Sequence, residues 1–291
     1  MNENQMNIQW YPGHMTKTRR QIEADLKQVD AVCEIVDARI PMSSRNPDID
    51  AICGDKPRIV ILNRMDLADP EATKRWSAYF KSKGMAAVPT DCKSRKGINS
   101  FQPAVRSVLK EKIERNAARG MNRPLRVMVV GIPNVGKSTL INQISGRKGA
   151  KAENRPGVTR GKQWVTVDSG LLLLDTPGIL WPKFEDPEVG MKLAYTGAVK
   201  DGILDIEELA CSLIQVLHQR YPQALKDRYG IEAEQGTPGW ELLELAGRKR
   251  GFLVSGGEIN TERMAKVLMD EYRSGKLGKF TFEEPQEETD G

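Results

Sequence analysis

The chain has 291 residues, with 44 Lys+Arg, 39 Asp+Glu, 39% hydrophobic residues and a formal net charge of +5. That composition excludes collagen-like, disulfide-scaffold and wholly disordered classes, and the length allows two domains. Aliphatic runs such as Leu171 to Leu174 fall far short of the roughly 20 apolar residues of a membrane-spanning helix, and the N-terminal Met-Asn-Glu-Asn-Gln-Met-Asn-Ile lacks the apolar stretch of a secretory signal, so no membrane span and a cytoplasmic location are expected. Cys33, Cys53, Cys92 and Cys211 are scattered singly, with only His14 and His218 to help them, so reduced and mostly buried thiols are expected rather than disulfides or zinc. Residues 283–291 hold Glu283, Glu284, Glu287, Glu288 and Asp290 without a Lys or Arg, so the rest of the chain is more basic than its net charge suggests. Such a body suits either a polyanionic partner or plain solubility.

In chain order, short β-branched runs bounded by turn residues predict strands at Ala31–Val36, Arg58–Leu62, Ala86–Thr90, Leu125–Val130, Gln163–Val167 and Leu171–Leu174. Between them Thr16–Val29, Ala72–Lys83 and Asn99–Arg119 read as helices. In the last, Phe101, Val105, Val108, Leu109 and Ile113 share a helical face. Alternation of this kind predicts βαβ units and a largely parallel sheet. After about residue 185 the strand signal stops, and Asp205–Gln219, Trp240–Ala246 and Thr261–Arg273 read as helices. The expected division is an α/β domain over 1–184, a helical domain over 185–283 and an acidic, disordered tail over 284–291.

Gly131-Ile-Pro-Asn-Val-Gly136-Lys137-Ser138 follows one predicted strand and opens a predicted helix, the context a P-loop requires. Its glycines let N–H groups converge on phosphates, Lys137 adds a point charge there, and Ser138 offers a hydroxyl to Mg²⁺. Asn134, Val135, Gly136, Lys137, Ser138 and Thr139 are therefore expected to hold the nucleotide. Leu171-Leu-Leu-Leu-Asp175-Thr-Pro-Gly178 ends an apolar strand in an acid and a turn, placing Asp175 toward Mg²⁺ and the Gly178 N–H toward the γ-phosphate. Between the two lies Pro156-Gly-Val-Thr159-Arg-Gly161, a candidate switch loop whose Thr159 hydroxyl would complete the metal's coordination.

Asn63-Arg64-Met65-Asp66 follows the strand Arg58–Leu62, at the carboxyl end where open α/β sheets bind ligands. Asp66 can accept both the N1–H and the exocyclic amine of guanine, a pair that adenine does not offer. Asp91-Cys92-Lys93, after another strand, can place a backbone N–H at the guanine carbonyl. From the residues alone a P-loop ATPase or kinase, and a nucleotide-gated binding module, stay open beside a GTPase.

These residues resemble the Ras-like GTPases, with the order altered: the base-reading motifs at 63–66 and 91–93 precede the P-loop. The resemblance implies an α/β, circularly permuted Ras-like P-loop GTPase domain with a mostly parallel six-stranded sheet, followed by a smaller all-helical domain. Trp10-Tyr-Pro-Gly-His14-Met15, Asp37-Ala-Arg-Ile-Pro41, Asn63-Arg-Met-Asp66, the P-loop and Pro156-Gly-Val-Thr159 together resemble the bacterial ribosome biogenesis GTPase A family, also called YlqF, over essentially the whole chain. Arg64 stands where that pattern has lysine, and Asp91 where it has serine. An arginine can also cover the purine face.

Ile179 follows Asp175-Thr-Pro-Gly178 at the position where Ras-like enzymes use a water-orienting glutamine, and an aliphatic side chain cannot do this. On the residues alone His14 reads as a turn or cap residue; the resemblance nominates it to position or deprotonate water. The resemblance likewise implies that Asn134 helps hold K⁺ against the phosphates of GTP or GDP. His218 reads as structural. Arg248, Lys249, Arg250, Arg263, Lys266, Arg273, Lys276 and Lys279 make the C-terminal part basic, and Gly247-Arg-Lys-Arg-Gly251 reads as an exposed basic loop suited to RNA phosphates. What the resemblance adds is the partner, the maturing large ribosomal subunit and its rRNA. Nothing in the chain demands more than a monomer.

Overall fold

The computed structural model describes residues 15–146, 163–168, 170–176, 186–199, 205–254 and 256–286. They fall into two compact units, residues 1–187 with 281–291, and residues 188–280.

The first unit is built on β1 (Ala31–Asp37), β2 (Arg58–Asn63), β3 (Ala86–Pro89), β4 (Leu125–Gly131), β5 (Gln163–Asp168) and β6 (Leu171–Asp175). The sheet order is β3-β2-β1-β4-β6-β5, parallel throughout except for the antiparallel β5 at one edge. All seven residues of β1 and all six of β2 are buried, as expected where helices cover both faces of a parallel sheet. On one face Ile22 and Leu26 of α1 (Met15–Leu26) and Ile49 of α2 (Ile49–Cys53) pack with Val32, Met128, Val130 and Leu174. A second cluster joins Trp76 and Phe80 of α3 (Pro70–Ser82) to Val36, Val60 and Leu62. Helix α3 starts where its sequence says it should, with Pro70 in the first turn and the Asp69 carboxylate accepting from the Ala72 N–H at 2.8 Å.

The segment expected as one helix over 99–119 is a 3₁₀ turn at Ile98–Ser100 followed by α4 (Phe101–Val108) and α5 (Lys110–Ala118). Leu109 breaks them with φ −106°. It is 2% exposed, so its burial competes with helical continuity at the point where an apolar face gives way to a charged segment. After β4 comes α6 (Lys137–Ser145).

The second unit comprises α7 (Pro187–Thr196), α8 (Ile206–Arg220), α9 (Pro222–Tyr229), α10 (Gly239–Lys249) and α11 (Thr261–Ser274). Its interior is made by side chains such as Leu213, Leu217, Leu242, Met264 and Leu268, all under 1% exposed. Gly239 is required where α10 meets α8, because a Cβ there would lie 2.1 Å from the Cys211 carbonyl oxygen. Glu271 of α11 ties three helices together, accepting from Arg228 Nε at 2.8 Å, Tyr229 OH at 2.8 Å and Arg250 Nη2 at 2.6 Å. His218 lies buried in α8, with Nε2 3.2 Å from the Ala233 carbonyl.

Two expectations are corrected. The basic segment 247–251 is no loop: residues 247–249 complete α10, and Gly247 is small because a Cβ would meet Ile259 at 2.6 Å. Arg248, Lys249 and Arg250 remain exposed at the helix end. Second, the chain leaves the helical unit at Phe280, and residues 281–284 return to the sheet unit instead of closing the helical one. The Phe282 N–H donates to the Arg39 carbonyl at 2.8 Å, and Trp76 Nε1 donates to the Glu283 carbonyl at 3.0 Å. The Glu283 carboxylate accepts from the Met42 N–H at 2.7 Å, from the Ser43 N–H and from the Ser43 hydroxyl. Glu284, expected in a disordered tail, pairs with Arg75 at 2.8 Å.

Among the described residues no helix is long and apolar enough to cross a membrane, and no three metal-ligating side chains gather. Cys33, Cys53 and Cys92 are buried free thiols, and burial pushes Cys53 up to about 11.

Candidate nucleotide site

Strand order reverses direction between β1 and β4, so their carboxyl ends open the crevice in which α/β sheets take ligands. The glycine-rich segment 131–136 leaves β4 there. Gly131 lies against β1, where a Cβ would come within 2.6 Å of the Ile35 side chain and 2.8 Å of its carbonyl oxygen. Gly136 has φ +102°, and a Cβ on it would lie 2.3 Å from Asn63 Nδ2. Asn134, at φ +60°, adopts the left-handed conformation that its short side chain tolerates. The segment then opens α6, whose free N–H groups and dipole favour phosphate.

Lys137, first in α6, and Asp175, last in β6, meet with Nζ 2.5 Å from Oδ1; their side chains are 6% and 1% exposed. Thr176 anchors the next residue by donating its hydroxyl to the Val129 carbonyl at 2.8 Å. Hard oxygen donors at Ser138 and Asp175 beside a buried ammonium fit Mg²⁺ chemistry, and the ion would neutralise charge developing on the phosphates.

The end of β2 is bonded to this loop. Asn63 Nδ2 donates to the Val135 carbonyl at 2.7 Å, and Asn63 Oδ1 accepts from the Cys92 N–H at 3.1 Å. One side chain therefore joins the end of β2, the P-loop and the segment after β3. The Met65 N–H continues the link to the Thr90 carbonyl at 3.1 Å. The guanidinium of Arg64, expected over a purine face, instead donates through Nη2 to the Asn134 carbonyl at 2.6 Å, while Nη1 lies 3.6 Å from Asp37. The N–H groups of the 91–93 segment, expected at a guanine carbonyl, are engaged within the protein: Asp91 on the Lys96 carbonyl, Cys92 on Asn63, and Lys93 on Asp91 Oδ1 at 2.9 Å.

Asp66 is the exposed carboxylate of this end. Partial burial pushes its carboxyl above the ordinary aspartate value and Asp91 adds to the rise, while Arg39 and Arg64 oppose it. Burial works against Asp91 as well, but hydrogen bonds from Ser94 and Lys93 hold it below the usual range. His14, Thr159 and Gly178, with Ile179, lie outside the described residues.

Sequence reasoning assigned no role to Asp37 or Arg39. Arg39 is fully buried and Asp37 nearly so, and they pair at 2.8 Å beside Arg64. Burial opposes ionisation of Asp37, yet Arg39 and Arg64 hold its carboxyl low. The available signal was an acid closing a buried strand two positions before an arginine.

Residues 126–239 match the family model described as 50S ribosome-binding GTPase. Ribosome biogenesis GTPase A of Priestia megaterium is 49% identical over 284 residues, spanning 97% of this chain and 98% of that protein. The chain belongs to the ribosome biogenesis GTPase A family. The family's protein from Bacillus cereus is 48% identical, over 97% of this chain and 95% of its own. A solved structure of GNP-bound YlqF from T. maritima superposes with a TM-score of 0.60 at 30% identity, covering 93% of this chain and 99% of that one. As a ribosome biogenesis GTPase A family member the chain is a GTP-hydrolysing enzyme with the circularly permuted fold: β2 and β3 precede the P-loop strand β4 in sequence while lying in one sheet with it.

Proposed function

We propose that this GTPase of ribosome biogenesis acts in the cytoplasm on a late precursor of the large subunit: it docks as a monomer in its GTP state, hydrolyses GTP when the particle organises the site, and then leaves. The observation that carries the reading is the Asn63 bridge, 2.7 Å to the P-loop carbonyl of Val135 and 3.1 Å from the Cys92 N–H, which makes the base-reading turn and the phosphate loop one site.

In this reading Lys137 leaves Asp175 for the phosphate oxygens, and Val135, Gly136 and Thr139 line the phosphates with N–H groups. Ser138, Asp175 and Thr159 hold Mg²⁺, and the Gly178 N–H meets the γ-phosphate. Asn63, Arg64, Met65, Asp66, Asp91 and Cys92 form the base end. Asn134 is a ligand for K⁺, whose charge would support the transferring phosphoryl group. With isoleucine at 179, His14 positions the attacking water once the N-terminal segment docks. Slow turnover by the free protein follows.

The exposed Arg248, Lys249 and Arg250 at the end of α10 suit rRNA phosphates. So does an open groove of about 570 Å³ in the helical unit, where Arg220, Arg228, Lys276 and Lys279 outnumber the single acid Asp227.

The test is GTP hydrolysis in K⁺ and in Na⁺ buffer, alone, with purified large subunits and with small subunits. Stimulation by large subunits alone, greater in K⁺, is expected. Equal rates in all conditions would remove both the particle and the K⁺ from the mechanism.

A further inference from the structure

Asp37 closes β1, the strand between the P-loop strand and the base-reading strand. Across one side it is in register with Asn63, and two residues earlier Ile35 is in register with Gly131 on the other. Its Oδ1 accepts from the Arg39 N–H at 3.0 Å and from Arg39 Nε at 2.9 Å. Its Oδ2 accepts from Arg39 Nη2 at 2.8 Å and lies 3.6 Å from Arg64 Nη1. Arg64 in turn donates to the Asn134 carbonyl at 2.6 Å from a backbone at φ +61°, a conformation that a long side chain keeps only when its surroundings hold it. The pair is itself fixed: the Asp37 N–H donates to Ser44 Oγ at 2.9 Å, and the Arg39 carbonyl accepts from the Phe282 N–H at 2.8 Å.

A carboxylate and two guanidinium groups therefore run from the end of β1 to the P-loop. We propose that Asp37 and Arg39 are positioning residues for guanine-nucleotide recognition: they hold Arg64 on the Asn134 carbonyl and so set the spacing between the Asn63–Asp66 turn and the phosphate loop. The chemistry suits the task. Oδ2 of Asp37 faces both arginines, so the orientation of one guanidinium limits that of the other, and a planar donor fork keeps its direction where an ammonium would swivel. Arg39 and Arg64 also place positive charge near Asp66, favouring the ionised form that accepts from guanine. The inference rests on the GTPase reading of this site.

A double-mutant cycle tests it, with Asp37→Asn, Arg64→Gln and the double variant compared for fluorescent GDP and ADP binding and for thermal unfolding without nucleotide. If Asp37 acts through Arg64, each single change weakens GDP binding by about tenfold, the double variant is no weaker than Arg64→Gln, and GDP-over-ADP selectivity falls in step. Losses that multiply in the double variant overturn the proposal. So does an Asp37→Asn protein that melts earlier but binds GDP as the parent does. If Asp37→Asn does not fold, Arg39→Lys replaces it in the same cycle, keeping the charge while removing the fork, and the same two patterns decide. A parent protein that prefers ADP would sink the GTPase reading itself; a parent that binds GDP with an independent cycle sinks only the positioning role.

Discussion

Lys137 Nζ lies 2.5 Å from Asp175 Oδ1, with both side chains sealed from solvent, so the candidate phosphate cation and the candidate metal ligand neutralise one another. Phosphate binding at Lys137, as proposed, would draw it away from this partner. Removing one member of a buried pair leaves the other uncompensated, at a cost of about 3–5 kcal/mol. Lys137→Ala is therefore expected to melt well below the parent and to lose fluorescent GDP binding. Asp175→Asn should behave differently: in EDTA it binds GDP at least as tightly as the parent, because Lys137 is released, while in Mg²⁺ its GTP turnover collapses. Weaker binding than the parent in EDTA would show that the pair does not compete with phosphate.

Glu283 closes the loop after β1 from a position 240 residues further along the chain. A carboxylate shared by two N–H groups and a hydroxyl is worth more than a neutral amide in the same place, and exchanging it costs about 1–3 kcal/mol. At about 2–4 °C per kcal/mol for a unit of this size, Glu283→Gln should lower the melting temperature by several degrees. Removing residues 281–291 should lower it further, since the Trp76 and Arg39 contacts go as well. Unchanged melting on truncation would show that the returning segment adds nothing to the sheet unit.

The elements easiest to read in the sequence were those whose signal is local. The six short apolar runs became the six strands, because each is bounded by turn residues; β1 and β2 are buried on both faces, while β3 and β5 lie half-open at the two edges. The P-loop was legible through Gly131 and Gly136, whose missing side chains are demanded by Ile35 and Asn63. Short helices such as Pro222–Tyr229 and Pro187–Thr196 escaped the periodicity reading, although a proline at the first position marked each start. What no local pattern carries is partnership at a distance. Glu34, buried in the middle of β1, is neutralised by Arg45 at 3.0 Å and Arg58 at 2.7 Å, from 11 and 24 positions away. By composition Glu284 reads as a tail and Glu283 as the end of the helical part, because Ser43 and Arg75 lie at the other end of the chain.

The helical unit holds a carboxylate whose ionisation supports its fold. Hydrogen bonds from Arg228 and Tyr229 and the charges of Arg228 and Arg250 outweigh burial and bring the Glu271 carboxyl to about 2. A carboxyl depressed in the folded state adds stability that is complete above its unfolded value and lost as pH falls through the folded one. The loss should therefore run from roughly pH 5 to pH 2, amounting to about 2–3 kcal/mol once solvent screening at the partly exposed arginines is allowed for. Glu271→Gln should unfold earlier at pH 7 and show a much flatter acid dependence, measured by urea unfolding across this range. A parallel pH dependence in the two proteins would assign the acid loss to another group.

At the base end the sign of the expected pH effect on binding follows from Asp66. Burial and Asp91 raise its carboxyl in the free protein, whereas the N1–H and amine of guanine need the carboxylate as acceptor. Below the raised value, binding must first remove a proton, so GDP affinity should fall as pH drops, approaching tenfold per pH unit. Above it the affinity should level off. Since the carboxyl starts high, the fall should begin at a higher pH than an ordinary aspartate, near 3.9, would give. Asp66→Asn has no such proton to lose and should bind GDP weakly with no matching pH dependence. Fluorescent GDP titrations at fixed ionic strength between about pH 3 and 8 bracket the ordinary aspartate value. A parent protein whose affinity is flat across that window would remove Asp66 from base recognition.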